Sequence, residues 1–361
     1  MEFLSTEEKL ERHHDYWQGK PQKRPLTAVR LGDVFFNRQL SPSIPLLDKG
    51  GIVTPEMFDV EAYMPEYLRI FHELEQIPQD AFFSAAPLQG FPWMEAIMGA
   101  QVMATHAAFV THKTLEDVEQ LGNVTLDREN PWYQLYLQFC RRLDEVSEGQ
   151  FAVGQPILRG VTDTTGALIG QTELIMAMVE EEKVIPKVFR EIMQAQRALN
   201  EDQHRLTSDF YGGRVLGFYD LWAPGDVIWY QEDLAALMSP KMYQEYLFEI
   251  AQEYIKGYEY TLVHLHPNTF FNLEEMLKVP DLKIIQINKD NNGPTVREMV
   301  PEFLKVLEAG KKLDIGMAYL DQDDIDALYD CLPSENVAIT LIAPTVKEAV
   351  EVLEYMDTKR R

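Results

Sequence analysis

Tyr260-Thr261-Leu262-Val263-His264-Leu265-His266 is a short apolar run that ends in two histidines, and it starts the most regular part of the chain. Similar runs follow at residues 282–287, 313–317 and 337–342. Between them lie helix signals. Thr295-Val296-Arg297-Glu298 and Thr345-Val346-Lys347-Glu348 have the spacing of capping boxes, in which the threonine and glutamate each satisfy a free N–H of the first turn. Upstream, Ser239-Pro240 reads as an N-cap followed by proline at the first helical position, and Lys256-Gly257 as that helix's end. Strand and helix therefore alternate with short connections, and helical crossovers return to a parallel sheet. The runs are apolar throughout rather than alternating, as expected for strands covered on both faces.

Working outward, Ser5-Thr6-Glu7-Glu8 caps an opening helix that ends at Gly19. Residues 26–31, 81–85, 151–155 and 215–219 supply further apolar runs. With the four above, eight strands are expected. That predicts an α/β fold of the (β/α)8 TIM-barrel type, one domain over residues 1–361 with an N-terminal helical extension. No Gly-x-Gly-x-x-Gly follows any of these runs, which disfavours a dinucleotide-binding sheet. The 361 residues are 46% hydrophobic and 25% charged, enough for a large core. A formal net charge of −25 opposes binding to nucleic acid or to an anionic membrane surface. Cys140 and Cys331 form no Cys-x-x-Cys pair, the N-terminus lacks a signal-peptide pattern, and no run is long enough to span a bilayer, so a cytoplasmic enzyme is expected.

In such a barrel the chemistry sits at the C-terminal strand ends. Polar residues there include Arg30 and Asp33, Arg159 and Asp163, Asp220 and Trp222, Glu232 and Asp233, His264 and His266, Gln286 and Asn288, and Tyr319. His264 and His266 share one face of their strand, because side chains alternate with period two. Two imidazoles at the barrel mouth suit Zn²⁺, with Glu232 or Asp220 as a third, carboxylate ligand or a base. Arg30 and Arg159 are expected to clamp an anionic group of a small-molecule substrate. Asp163, Trp222, Gln286, Asn288 and Tyr319 are expected to complete the substrate site. His13 and His14, on a charged opening helix, are expected at the surface.

The stretch Asp220-Leu221-Trp222-Ala223-Pro224-Gly225, the segment Gln231 to Tyr243, His264-Leu265-His266, and Arg159-Gly160-Val161-Thr162-Asp163 followed by Gly170 resemble the uroporphyrinogen decarboxylase superfamily in order and spacing. The resemblance implies a (β/α)8 barrel. It also implies one of two activities. The first is methyl transfer in corrinoid-linked C1 metabolism, with a corrinoid carried by a partner protein. The second is decarboxylation of uroporphyrinogen or a related acid, as in porphyrin metabolism. A ligand-binding barrel without catalysis is a third reading, and a homodimer is compatible with the architecture. Two departures bear on activity. The family's decarboxylases carry an Asp where Phe83-Ser84 is followed by Ala85, and only Arg38 could supply their second N-terminal arginine. Its zinc methyltransferases carry Cys at the position of His266 and a second Cys on the last strand, where this chain has none.

Overall fold

The computed structural model describes residues 2–32 and 38–359, so the expectation for Asp33 lies outside the described residues. The strands that build the site are β1 (Leu26–Leu31), β2 (Ser84–Ala85), β3 (Ala152–Val153), β4 (Arg214–Leu216), β5 (Leu221–Ala223), β6 (Val227–Gln231), β7 (Tyr260–Leu265), β8 (Ile284–Asn288), β9 (Lys312–Ala318) and β10 (Val337–Ala343). Six of them form one parallel sheet in the order β1-β10-β9-β8-β7-β6. The two-residue strands β2 and β3 pair in parallel beside it. The chain before β2 and the chain after β3 bond to its two edges: the Asp80 N–H donates to Thr27 O of β1 at 3.1 Å, and Arg159 bridges in parallel to Gln231 of β6. An antiparallel three-stranded sheet, from residues 51–52, 101–104 and 109–112, lies outside this arrangement.

Why the strands read as unbroken apolar runs is visible in their two faces. Val263, Leu265, Ile285, Ile287, Leu313, Ile315, Ile339 and Leu341 face the helices in the large core. Leu26, Val227, Trp229, Leu262, Ile284 and Ala338 face the other way and form a second core with Tyr16 and residues 216–223. Helix starts agree with the sequence signals. Ser5 and Thr295 are N-caps with complete capping boxes, Ser239 and Thr345 are N-caps, and Gly19 ends the Thr6–Gln18 helix in the left-handed region. No helix among the described residues is long and apolar enough to cross a membrane.

Three expectations need correction. Residues 215–219 are not the fourth strand of the parallel sheet, a place taken by β6. Val215 and Leu216 belong to the antiparallel hairpin β4–β5. The hairpin tip is apolar because it fills the sheet's inner face: Phe218 stacks on Trp229 and Tyr219 meets the same indole edge-on. Its backbone bends sharply, with φ of 72° at Phe218 and 54° at Asp220. Gly217 lets it pass the chain at Gly154 and Gln155, because a Cβ on Gly217 would lie 2.4 Å from the Gln155 carbonyl oxygen. Second, the helix expected from Ser239 to Lys256 is two, Pro240–Tyr246 and Phe248–Ile255, broken at Leu247. Third, His13 is buried. Its Nδ1 donates to Lys9 O at 2.8 Å, its ring lies near Phe82 and Trp222, and burial pushes its pKa down to about 4.

Candidate active site

Five inward-facing polar residues lie in register across five neighbouring strand segments: Arg159, Gln231, His264, Gln286 and Asp314. This row is the floor plan of the site. Beyond it, where β7 and β8 end, His266 and Asn288 follow at i+2 and Asp290 two residues further on, so two imidazoles and their partners converge.

The donor and acceptor pattern of the pair is specific. His264 Nδ1 donates to the buried carboxamide oxygen of Gln286. His266 Nδ1 donates to Asp290 Oδ1 at 2.7 Å, and Asn288 Nδ2 donates to the same oxygen at 2.7 Å. With both Nδ1 atoms occupied as donors, the two Nε2 atoms face one another at 3.1 Å, the rings nearly perpendicular. Asp233 closes the group, with Oδ1 4.0 Å from His266 Nε2. Ligand atoms of Asp233, His264 and His266 all lie within 4.8 Å of one another.

Electrostatics separates the two rings. Burial, with the positive charge of His266 beside it, pushes the His264 pKa down to about 4 against the opposing pull of Asp233. Burial also acts to lower His266, but the Asp290 hydrogen bond and the charges of Asp233 and Asp290 outweigh it, and its pKa is raised. Asp290 is correspondingly lowered, first by the His266 hydrogen bond.

A chamber of about 210 Å³ opens over the pair. Phe91, Ile157, Phe218 and Met317 form an apolar wall, and Arg159, Gln231, Asp233, Asn288 and the two histidines a polar end. Arg159 donates through one guanidinium nitrogen to Glu95 Oε1 at 2.7 Å. Glu95 itself is 1% exposed, in the Trp93–Ile97 helix.

The other expected residues are placed as follows. Glu232 is not a free ligand. Its carboxylate accepts from the Val161 N–H at 2.9 Å, the Thr162 N–H at 3.0 Å and the Thr162 hydroxyl, closing the start of the Val161–Ile169 helix. Burial raises its pKa to about 7 against those hydrogen bonds. Asp163 returns the arrangement by accepting from the Asp233 and Leu234 N–H groups at 3.0 and 2.9 Å. The carboxylate on the side of the two Nε2 atoms is therefore Asp233, one residue further on. Asp220 is drawn away as well: it accepts from the Ser84 N–H at 2.9 Å and the Ser84 hydroxyl at 2.6 Å, and faces Arg30 at 3.7 Å. Arg30, 1% exposed, donates to Phe218 O at 2.8 Å, so this pair holds the hairpin tip instead of lining the chamber. Trp222 is buried against the first helix, with its indole N–H on Phe210 O at 2.8 Å, and does not line the chamber. Tyr319 is exposed and borders a different cavity. Arg38 binds His106 O and Asp48 at the surface. Gln286 and Asn288 do meet the site, through His264 and Asp290. Sequence reasoning missed Asp290 and Glu95. The i+2 relation of Asn288 and Asp290, parallel to that of the histidines, was a readable signal for the first; nothing local marks Glu95.

No sequence-family profile and no curated protein matches the chain. Its three-dimensional structure is similar to that of a methyltransferase from Methanosarcina mazei, with a TM-score of 0.64 over 99% of each chain and 12% sequence identity. At that identity the likeness is one of fold: a mixed α/β architecture around a parallel sheet.

Proposed function

We propose that the chain is a methyl-transfer enzyme of corrinoid-linked C1 metabolism, built on a closed (β/α)8 barrel and using a divalent metal held by Asp233, His264 and His266. The observation that carries this reading is the facing of two Nε2 atoms whose rings both donate through Nδ1. Two lone pairs at 3.1 Å repel unless a cation stands between them, either a shared proton or a metal ion. Gln286 and Asp290 occupy the outer nitrogens as the partners of metal-bound imidazoles do, which fixes tautomer and ring orientation. Two nitrogens and one carboxylate oxygen suit Zn²⁺ with a position left open for substrate. A metal there would act as a Lewis acid, lowering the pKa of a bound acceptor or water. Arg159 orients an anionic substrate group, and Phe91, Ile157, Phe218 and Met317 keep water from the reacting atoms. The bonds from Asp80 and Arg159, in the segments beside the paired β2 and β3, to the two edges of the six-stranded sheet support barrel closure. A chamber of about 210 Å³ favours a small acceptor over a tetrapyrrole, which supports methyl transfer above decarboxylation of uroporphyrinogen. A corrinoid, delivered by a partner protein, is the proposed methyl donor.

The test is reconstitution with Zn²⁺ followed by elemental analysis, and demethylation of free methylcobalamin with 2-mercaptoethanol followed by absorbance. One zinc per chain is expected, lost in His264→Ala and His266→Ala with unchanged circular dichroism. A wild-type protein that retains no metal and leaves methylcobalamin intact refutes the reading.

A further inference from the structure

The chamber is amphipathic in a way that selects a ligand. Its wall of Phe91, Ile157, Phe218 and Met317 offers two aromatic faces and no hydrogen bond, while a single cation, Arg159, stands at its polar end. Among the described residues the guanidinium's hydrogen bond goes to Glu95 Oε1 alone, through one terminal nitrogen. The side chain is 37% exposed and borders the chamber. A guanidinium held on one side by a buried carboxylate is oriented to receive a second carboxylate on the other.

Register sets the reach. Arg159 lies two strands from His264, with Gln231 between. At about 4.8 Å per strand their Cα atoms are about 10 Å apart, so side chains projecting from the same face place the guanidinium and the imidazole on opposite sides of one small chamber.

We infer that the chamber takes a small single-ring or similarly sized apolar carboxylate, its acid group on Arg159, its body against Phe91 and Phe218, and its far substituent turned to His264 and His266. Only this last element rests on the metal reading above.

Calorimetric titration with benzoate, 4-hydroxybenzoate, acetate and benzylamine tests it, on zinc-reconstituted and metal-stripped protein. Benzoate is expected to bind in both states, at least tenfold more weakly in Arg159→Met, with acetate and benzylamine silent. 4-Hydroxybenzoate should exceed benzoate only in the zinc form. Ile157→Phe, which fills the chamber, should abolish benzoate binding without changing zinc content. Benzoate binding that is indifferent to Arg159→Met, equalled by acetate, or absent in both states overturns the inference. Arg159-dependent benzoate binding in a protein that takes up no zinc would leave it standing and remove the metal reading instead.

Discussion

At the scale of single residues, the site is decided by which carboxylate is already occupied. Glu232 and Asp233 are neighbours in sequence, yet the first is held by Val161 and Thr162, some 70 positions away, and only the second reaches His266. No local pattern reveals that, which is why the histidine pair was legible from its period of two and its carboxylate partner was not. The partners of the outer nitrogens carry a prediction. Asp290→Ala should weaken zinc binding about 10–100-fold, read by competition with a chromophoric chelator, while leaving secondary structure intact. Asp314 carries another. It is wholly buried, accepts from the Thr340 hydroxyl at 3.1 Å, and burial raises its pKa from 3.8 to about 8. The folded state therefore holds this proton over a range where the unfolded chain has released it, so the group costs stability as pH climbs from about 4 towards 8. Asp314→Asn should melt close to wild type near pH 4 and increasingly above it towards pH 9. A constant difference across that range, measured by calorimetry, would count against a proton held there.

At the scale of elements, apolar runs located most of the strands. β7 to β10 are covered on both faces, so their composition carries the signal, and the runs at 81–85 and 151–155 contain the two-residue strands β2 and β3; β6 was not singled out. The apolar run at 215–219 misled for a physical reason: filling the inner face of a sheet and forming one of its strands demand the same side chains. What distinguishes them is the glycine crossing. Gly217→Ala would put a methyl against the backbone of Gln155, which cannot yield as a flexible side chain would. It should destabilise the protein by about 1–3 kcal/mol or more in urea denaturation and weaken zinc binding by displacing Phe218. Gly160→Ala is a parallel case. Its Cβ would fall 2.1 Å from Gln231 O and 2.3 Å from the Glu232 carboxyl carbon. It should therefore separate the Val161–Ile169 helix from its glutamate cap. The expected loss, also by urea denaturation, is at least the ~1–3 kcal/mol of leaving a buried acceptor unmatched.

For the whole molecule, charge is the dominant property. A net charge of −25 on 361 residues creates self-repulsion that ion pairs at the surface relieve only in part. Raising salt from about 10 mM to about 0.5 M shortens the Debye length from about 30 Å to a few ångströms, and the melting temperature should rise with it. A fall would show that specific pairs such as Arg142–Glu61 outweigh the general repulsion. The alternating α/β plan was legible because it is written repeatedly along the chain, whereas the chamber assembles from segments as distant as Phe91 and Met317.

The β4–β5 hairpin reaches the chamber from the side where strands begin, since it leads into the N-terminal end of β6. The back of the cavity is thus a stopper made of one continuous loop, with Phe218 as its inner end. Trimming that loop would remove the cavity's rear wall and the inner packing of the sheet together, because the residues that stop the one are the residues that fill the other.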